Sequence, residues 1–158
     1  MTAPTNAQQY VQYDLAFPGM LPDHPLYKLK VLRDRIKALY ISDPKIKADF
    51  YLHLADKGIL ATAMLVDKHE IKLAQETALK AEHNMTLLTQ ELAKFEDLPN
   101  ASLLTKWTTA SLKHQEVLTD LLLRIPQDQQ DIFKQVIDFS KRNLIQIQNY
   151  ALPDTQTQ

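Results

Sequence analysis

The sequence predicts an all-α protein: an antiparallel up-and-down bundle of four long helices, with a shorter helix and a Pro-rich strap before them. The 158 residues include only two glycines, and long runs are rich in Ala, Leu, Lys, Gln and Glu, which favour helices. Hydrophobic residues make up 45% of the chain, which is sufficient for the core of one domain. The predicted helices are joined by short connections, which force neighbouring helices to run antiparallel.

The predicted strap is a Pro-rich segment ahead of the first helix. Its prolines fix φ and favour extended conformations in the preceding residues, so residues 17–24 should be stiff and non-helical. A Pro-Gly pair fits a turn in which glycine takes a positive φ. The carboxylate of Asp23 is placed to cap a helix that begins near Pro25. The structural motif of this segment consists of Pro18, Gly19, Pro22, Asp23, Pro25 and Tyr27.

Hydrophobic spacing and helix breakers predict five helices, over residues 25–41, 44–66, 71–96, 101–125 and 127–150. Asp43 should cap the second helix, with Pro44 in its first turn, and Asn100 should cap the fourth. Gly58 lies inside the second helix, where it costs up to about 1 kcal/mol relative to Ala. Its presence indicates close approach of another helix or a local break.

Each predicted helix carries a hydrophobic stripe. The first has Leu26, Leu29, Leu32, Ile36, Leu39 and Tyr40, and the second has Ile46, Phe50, Leu54, Ala61 and Leu65. The third is the clearest, with Ala74, Ala78, Ala81, Met85, Leu88, Leu92 and Phe95. The stripe of the fourth helix runs through Leu104, Trp107, Ser111, His114, Leu118, Leu121 and Ile125, and so includes two polar residues. The fifth has Phe133, Val136, Ile137, Leu144 and Ile147.

We expect one domain over residues 13–150, preceded by a polar linker (1–12) and followed by a polar tail (151–158). Stacking of helical repeats is the alternative, because the second and third helices resemble a solenoid hairpin. The chain shows no repeated period of about 34 residues, which favours the bundle. No stretch of about 18 apolar residues is present to predict a membrane span.

Two patches resemble a bacterial family of unknown function. One is Phe-Pro-Gly-Met-Leu-Pro-Asp-His-Pro-Leu-Tyr-Lys-Leu-Lys at residues 17–30, with Leu-Arg-Asp-Arg-Ile at 32–36, and the other is Leu-His-Leu-Ala-Asp-Lys at 52–57. The resemblance covers roughly residues 13–95. Members are helical, usually follow a signal peptide or membrane anchor, and begin with a Pro-Gly-x-Leu-Pro-Asp-x-Pro-Leu-Tyr motif. The resemblance therefore implies an extracytoplasmic location, in the cell envelope or secreted, but no reaction.

The sequence does not predict an enzyme or a cofactor. Ser111 and His114 are one helical turn apart, but no acidic residue at a fixed offset orients the imidazole. Phosphate-binding loops need several glycines, and this chain has only Gly19 and Gly58. The absence of cysteine excludes disulfides and thiolate metal sites. We therefore assign no catalytic residue.

A metal-binding bundle, acting as a sensor or in storage, is an alternative function. His114 is on a predicted core face and His53 borders the stripe of the second helix, so the two imidazoles could meet between helices. Carboxylates or other histidines could complete such a site, from among His69, His83, Glu76 and Glu82. However, bundle metal sites typically use Glu-x-x-His pairs that face inward, and none is predicted here.

The charge is distributed unevenly. The chain has a net charge of −1, whereas residues 28–47 carry seven basic and two acidic side chains, a local net of +5. These basic residues are Lys28, Lys30, Arg33, Arg35, Lys37, Lys45 and Lys47, and we call them the basic hairpin. They could bind a protein or an anionic surface of the cell envelope, or could simply be solvated. Nucleic acid is not expected, because no aromatic residues are interleaved for base stacking.

The preferred function is thus a non-catalytic, extracytoplasmic interaction or structural module acting through surface contacts. A further alternative is a self-assembling homo-oligomeric subunit, whose helices would keep an apolar stripe exposed after folding. Joint exposure of Tyr51, Ile59 and Leu103 would favour that alternative.

Overall fold

The computed structural model describes residues 10–150, which form a packed helical bundle without any strand in that range. Its α-helices are α1 (Tyr27–Tyr40), α2 (Pro44–Asp67), α3 (Ile71–Leu92), α4 (Ala101–Leu122) and α5 (Asp131–Asn149), with a 3-10 helix at Gln127–Gln129. No helix within this range is long and apolar enough to cross a membrane. The predicted tail (151–158) and residues 1–9 of the predicted linker lie outside the described residues.

Two helix starts confirm the predicted capping. The Asp43 carboxylate accepts hydrogen bonds from the backbone N–H of Lys45, at 2.8 Å, and of Ile46. The Asn100 side chain accepts one from the N–H of Leu103 at 2.9 Å. These bonds satisfy N–H groups that have no partner within the helix.

The predicted cap of the first helix is wrong. Residues 21–26 form turns, and α1 begins at Tyr27 without a side-chain cap. Asp23 instead forms an ion pair with Lys68 at 2.6 Å. Just before the helix, the imidazole Nδ1 of His24 accepts a hydrogen bond from the backbone N–H of Leu26 at 3.1 Å.

The later helices are shorter than predicted at their ends. The α3 helix ends at Leu92, where backbone bonds from Lys94 to Glu91 and from Phe95 to Leu92 tighten the chain into a turn. The α4 helix ends at Leu122 rather than at residue 125. Residues 127–129 form the 3-10 helix, so α5 starts at residue 131.

Helices α2 to α5 share one interior, in which α2 packs against α3 and α4, and α5 packs against the same two helices. This arrangement favours the bundle over stacked repeats, which contact only their sequence neighbours. The apolar core has two clusters, one around Phe133, Leu118 and Leu65 and the other around Trp107 and Met85. Along each of the helices α2 to α5, buried polar residues lie between these clusters.

The buried face of α2 differs from the predicted stripe. Ala61 and Leu65 are buried as predicted, but Ile46 is 61% exposed and Leu54 only half-buried. The core side is formed by Ala48, Leu52, Ala55, Ile59, Thr62 and Val66. Because α2 is apolar around most of its circumference, periodicity alone does not identify the side that meets α3 and α4.

Gly58 confirms the predicted close approach of another helix. A Cβ atom placed on Gly58 would lie 2.6 Å from the Cβ of Ala81 on α3. That separation is far below van der Waals contact. The α2 and α3 backbones therefore approach each other at a point where only a glycine and an alanine fit.

We expect Gly58→Ala to destabilise the protein in the wild-type background and to cost much less in an Ala81→Gly background, where the nearest remaining atom is the Cα of residue 81 at 3.2 Å. Overpacking typically costs about 1–3 kcal/mol, whereas Ala in place of Gly inside a helix gains about 1 kcal/mol. Urea unfolding of the two single variants and the double variant would measure both effects. A stabilising Gly58→Ala in both backgrounds would show that the helices can separate without loss.

Candidate functional site

A buried polar layer lies between the two apolar clusters. We define it as Asp56 on α2, Glu82 on α3, His114 on α4 and Asn143 on α5, all of them buried. His114 is fully buried at its centre: Nε2 lies 2.8 Å from Asp56 Oδ1, and Nδ1 lies 3.1 Å from Glu82 Oε1. One imidazole therefore bridges carboxylates from two other helices.

Further hydrogen bonds complete the polar layer. The Tyr13 hydroxyl donates to Asp56 Oδ2 at 2.7 Å. The Asn143 amide donates to the backbone oxygen of Glu82 at 3.3 Å and to its carboxylate at 3.4 Å. The Thr86 hydroxyl donates to the Asn143 side-chain oxygen at 3.2 Å. The network thus joins four helices and the segment before α1, and a shift of any helix along its axis would leave buried polar groups unpaired.

Two opposing effects set the protonation of His114. Burial by itself lowers its pKa, but the hydrogen bonds to Asp56 and Glu82, together with their negative charges, outweigh burial and raise the pKa to about 9. His114 is therefore an imidazolium at neutral pH and donates from both ring nitrogens. Burial, followed by the hydrogen bond and charge of Asp56, raises the pKa of Tyr13, so its hydroxyl remains a donor.

The two histidines of the metal alternative lie in different environments. His53 is exposed on α2, whereas both ring nitrogens of His114 already contact carboxylate oxygens. A metal could bind His114 only by displacing one of these hydrogen bonds. Within residues 10–150, no group of three or more His, Asp or Glu side chains is arranged to hold a metal ion.

Ser111 is buried one helical turn before His114, but the two side chains are not hydrogen-bonded to each other. Its hydroxyl points to the backbone oxygen of Ser140 on α5, at 3.5 Å. The Ser111–His114 pairing considered from the sequence is therefore not formed, and the neighbours of His114 are the two carboxylates.

The basic hairpin lies on α1 and on the first turn of α2. Six of its residues form no ion pair with the described part of the chain, and Arg33 alone does, with the adjacent Asp34 at 2.8 Å. The Lys30 ammonium donates to the backbone oxygens of Pro18 and Met20, at 2.7 and 3.0 Å. The Lys37 and Lys45 ammonium groups lie over the aromatic rings of Phe50 and Phe95, at 5.1 and 5.8 Å.

The residues of the predicted structural motif lie before α1 and at its start. Pro18 is buried, and Gly19 has the predicted positive φ, at +66°. Tyr27 is half-buried at the start of α1, Pro22 is half-buried, and Pro25 is exposed. Lys30 connects the Pro-Gly turn to α1 through its two carbonyl contacts.

The first helix contributes no buried residue to the core. Of the predicted stripe on this helix, the least exposed member, Ile36, is still 46% exposed. We define the outer face of α1 as Leu29, Leu32, Ile36 and Tyr40, which are spaced by three or four residues and share one side of the helix. Helical periodicity places Lys28 and Arg35 along one edge of this face, and Arg33 and Lys37 along the other.

The residues named for self-assembly are not exposed together. Ile59 is buried in the core, and Tyr51 and Leu103 are half-buried against the Trp107 cluster. Exposed apolar side chains instead recur at helical spacing on the outer face of α1.

Residues 19–128 match the family model described as "Domain of unknown function (DUF5667)". The chain belongs to this family. The DUF5667 match includes α1 to α4 and the His114, Asp56 and Glu82 contacts, whereas Tyr13 and Asn143 lie outside it. No curated protein and no solved structure matches the chain. Membership in DUF5667 brings no known reaction.

The sequence predicts His114 as a core residue but not its partners as a group. Glu82 is predicted only as a possible metal ligand, and no contact with His114 is predicted for Asp56, Asn143 or Tyr13. Asp56 lies among the core positions of α2, between Ala55 and Ile59, but the sequence alone does not identify that side of α2 as buried. Once the buried side is known, a charged residue on it predicts a partner of opposite charge.

Proposed function

We propose that the protein is a non-catalytic interaction module that binds an anionic surface of the bacterial cell envelope through the basic hairpin and the outer face of α1. One observation carries the proposal: a helix with an exposed apolar face, edged by basic side chains, lies outside the shared core. Exposed apolar surface of this kind marks interaction sites.

The combination of side chains favours an anionic surface with an apolar layer beneath it. Helices that lie in a membrane interface have an apolar face and basic residues on the remainder, and they bind anionic lipid by both properties. Self-association through the same face is less favourable, because each copy would add the positive charge of its own basic hairpin. An acidic protein would neutralise the basic hairpin but would provide nothing apolar to cover the outer face of α1.

An extracytoplasmic location and a bacterial source are part of the proposal and rest on the motif at residues 17–30. Fractionation of a native host would test the location, and protein found only in the cytoplasm would contradict it.

The antiparallel course of the long helices and the strap before α1 are also part of the proposal. The connections 41–43, 68–70 and 123–130 are short, which supports an antiparallel course for the long helices. The Pro18 and Lys30 contacts support a strap held against α1.

The binding proposal is tested with two triple variants that remove the same charge. Lys28→Gln, Arg33→Gln and Lys45→Gln change the basic hairpin, whereas Lys134→Gln, Lys141→Gln and Arg142→Gln change α5. Each basic residue near an anionic surface contributes about 1 kcal/mol, so the hairpin variant should bind phosphatidylglycerol vesicles about a hundredfold more weakly. Vesicle sedimentation at low and physiological salt measures this affinity.

The α5 variant serves as the matched control and should bind like the wild type. Leu32→Gln with Ile36→Gln, on the outer face of α1, should also weaken binding while leaving the melting temperature unchanged. Equal loss in the hairpin and α5 variants would contradict a localised surface. Light scattering of the same samples would reveal self-assembly, and a dimer dissociated by the Leu32 and Ile36 changes would replace the proposal.

A further inference from the structure

A cleft of about 610 Å³ separates α1 from α2 and α3. It lies on the side of α1 opposite the outer face. Its α1 wall includes Tyr27, Val31 and Ala38, which recur at helical spacing. Its floor includes Gly58, Ala61 and Ala81, and α2 and α3 approach each other closely at Gly58 and Ala81. Because these side chains are small, they do not fill the cleft. Its volume falls within the range of about 300–1,000 Å³ that is usual for ligand sites.

The cleft is elongated. The α1 residues that line it extend from Tyr27 to Leu39, which at 1.5 Å per residue is a length of about 18 Å. A compact ligand would leave most of such a cleft empty. Its shape suits an extended chain that lies parallel to α1.

The two ends of the cleft differ in chemistry. Lys30, Lys57 and Lys80 line the cleft near the start of α1. Lys57 and Lys80 lie at the same end because their sequence neighbours, Gly58 and Ala81, pack against each other between α2 and α3. Leu39, Tyr51 and Leu87 line the other end. The cleft is thus cationic at one end and apolar at the other.

No cation at this end has an ion-pair partner in the described range. Lys57 and Lys80 form no ion pair there, and Lys30 contacts two backbone oxygens and lies over the Tyr27 ring, 5.3 Å from its centre. Burial, and then the positive charge of Lys57, lower the pKa of Lys30, and the negative charge of Asp34, which is paired with Arg33, opposes them. A bound anion would offset the remaining repulsion between the ammonium groups.

We infer that the cleft binds a free long-chain carboxylate, with the carboxylate between Lys57 and Lys80 and the acyl chain extended along α1 toward Leu39 and Leu87. Asp34 and Arg35 line the middle of the α1 wall, and the lining beyond them, formed by Ala38, Leu39, Tyr51, Leu54 and Leu87, has no charged side chain. The cations at this end are lysine ammonium groups, which bind as point charges, whereas Arg35, whose fork would suit a phosphate, lies farther along α1. A singly charged carboxylate matches two partly exposed ammonium groups.

Isothermal titration of the full chain with sodium laurate, below its micelle concentration, tests this inference. Lys57→Gln with Lys80→Gln should weaken binding by at least about tenfold, because hydrogen bonds to charged groups contribute that much or more. Ala38→Trp should abolish binding by filling the cleft, and it leaves the core intact because α1 supplies none of it. Lys134→Gln with Lys141→Gln is the matched control and should bind laurate like the wild type.

The charge and shape of the ligand are tested separately. Dodecyltrimethylammonium has the same chain with a cationic head and should not bind. Absence of saturable laurate binding, equal binding of the cationic detergent, or unchanged affinity in both cleft variants would overturn the inference. Tighter binding of dodecyl phosphate would overturn the carboxylate assignment. If circular dichroism shows that one cleft variant is unfolded, the other still decides the result.

This inference does not depend on the proposed function. Neither Lys57 nor Lys80 belongs to the basic hairpin, and none of the residues changed in the vesicle experiment lines the cleft. A protein that binds vesicles but not laurate would fail only this inference, and one that binds laurate but not vesicles would fail only the proposed function.

Discussion

Replacing His114 by Leu is expected to destabilise the protein by about 3–5 kcal/mol, the usual cost of removing one partner from a buried ion pair. Leucine has a similar volume, so the loss would not come from a cavity. It would come from the Asp56 and Glu82 carboxylates, which would remain buried without the two N–H donors of the imidazolium. Because domains of this size are typically stable by only about 5–15 kcal/mol, the variant should unfold at markedly lower urea concentration.

A triple variant separates the effect of unpaired charge from that of a changed core. Asp56→Leu, Glu82→Leu and His114→Leu together remove the whole ionic group. Replacing a buried ionic group by well-packed apolar residues is often neutral or stabilising, so the triple variant should be more stable than His114→Leu alone. Tyr13→Phe in both backgrounds removes the hydroxyl that would lose Asp56 as its acceptor. If the triple variant is the less stable one there too, the cost of His114→Leu arises from packing and not from the carboxylates.

Stability should also fall as pH rises through the titration of His114. In the folded state the pKa of His114 is raised from 6.5 to about 9, so the folded protein holds this proton more tightly than the unfolded chain. The contribution is fully present below about pH 6.5 and is lost as pH approaches and passes 9. Its size follows from the difference between the two pKa values and is about 3 kcal/mol.

Urea unfolding between pH 6 and pH 9.5 measures this loss. The groups that face His114 are Asp56 and Glu82, and Tyr13 contacts the network through Asp56. The triple leucine variant lacks the titrating group and should show a flatter pH profile, so the difference between the two profiles isolates His114. A wild-type profile parallel to that of the triple variant, or an imidazole that titrates near pH 6.5 by NMR, would show that the carboxylates do not hold the proton.

The helices themselves were largely predictable, because the signals that start a helix are local. Asp43 and Asn100 cap their helices through hydrogen bonds that span only two or three residues, so neighbouring sequence contains all the needed information. Gly58 was also informative, because a glycine inside a helix indicates close approach of another helix or a local break, and the structure shows the close approach. Asp23 was misassigned because its partner, Lys68, lies 45 residues away.

The candidate sites were less predictable, because they depend on which helix faces are covered. The apolar stripes of α1 and α3 look alike in sequence, yet that of α3 is buried and the outer face of α1 is exposed. Periodicity shows that a helix has an apolar side, but another element must be present to bury it.

The sequence by itself determined the helical class, the starts of α2 and α4, the basic hairpin and the burial of His114. Only the tertiary structure decided that Asp56 and Glu82 bind the two sides of that imidazole, that α1 lies outside the shared core, and that a cleft with a cationic end lies beneath it. The physical reason is the sequence separation over which each interaction acts. Helix propensity and capping act over a few residues, whereas ion pairing and burial depend on side chains brought together from distant parts of the chain.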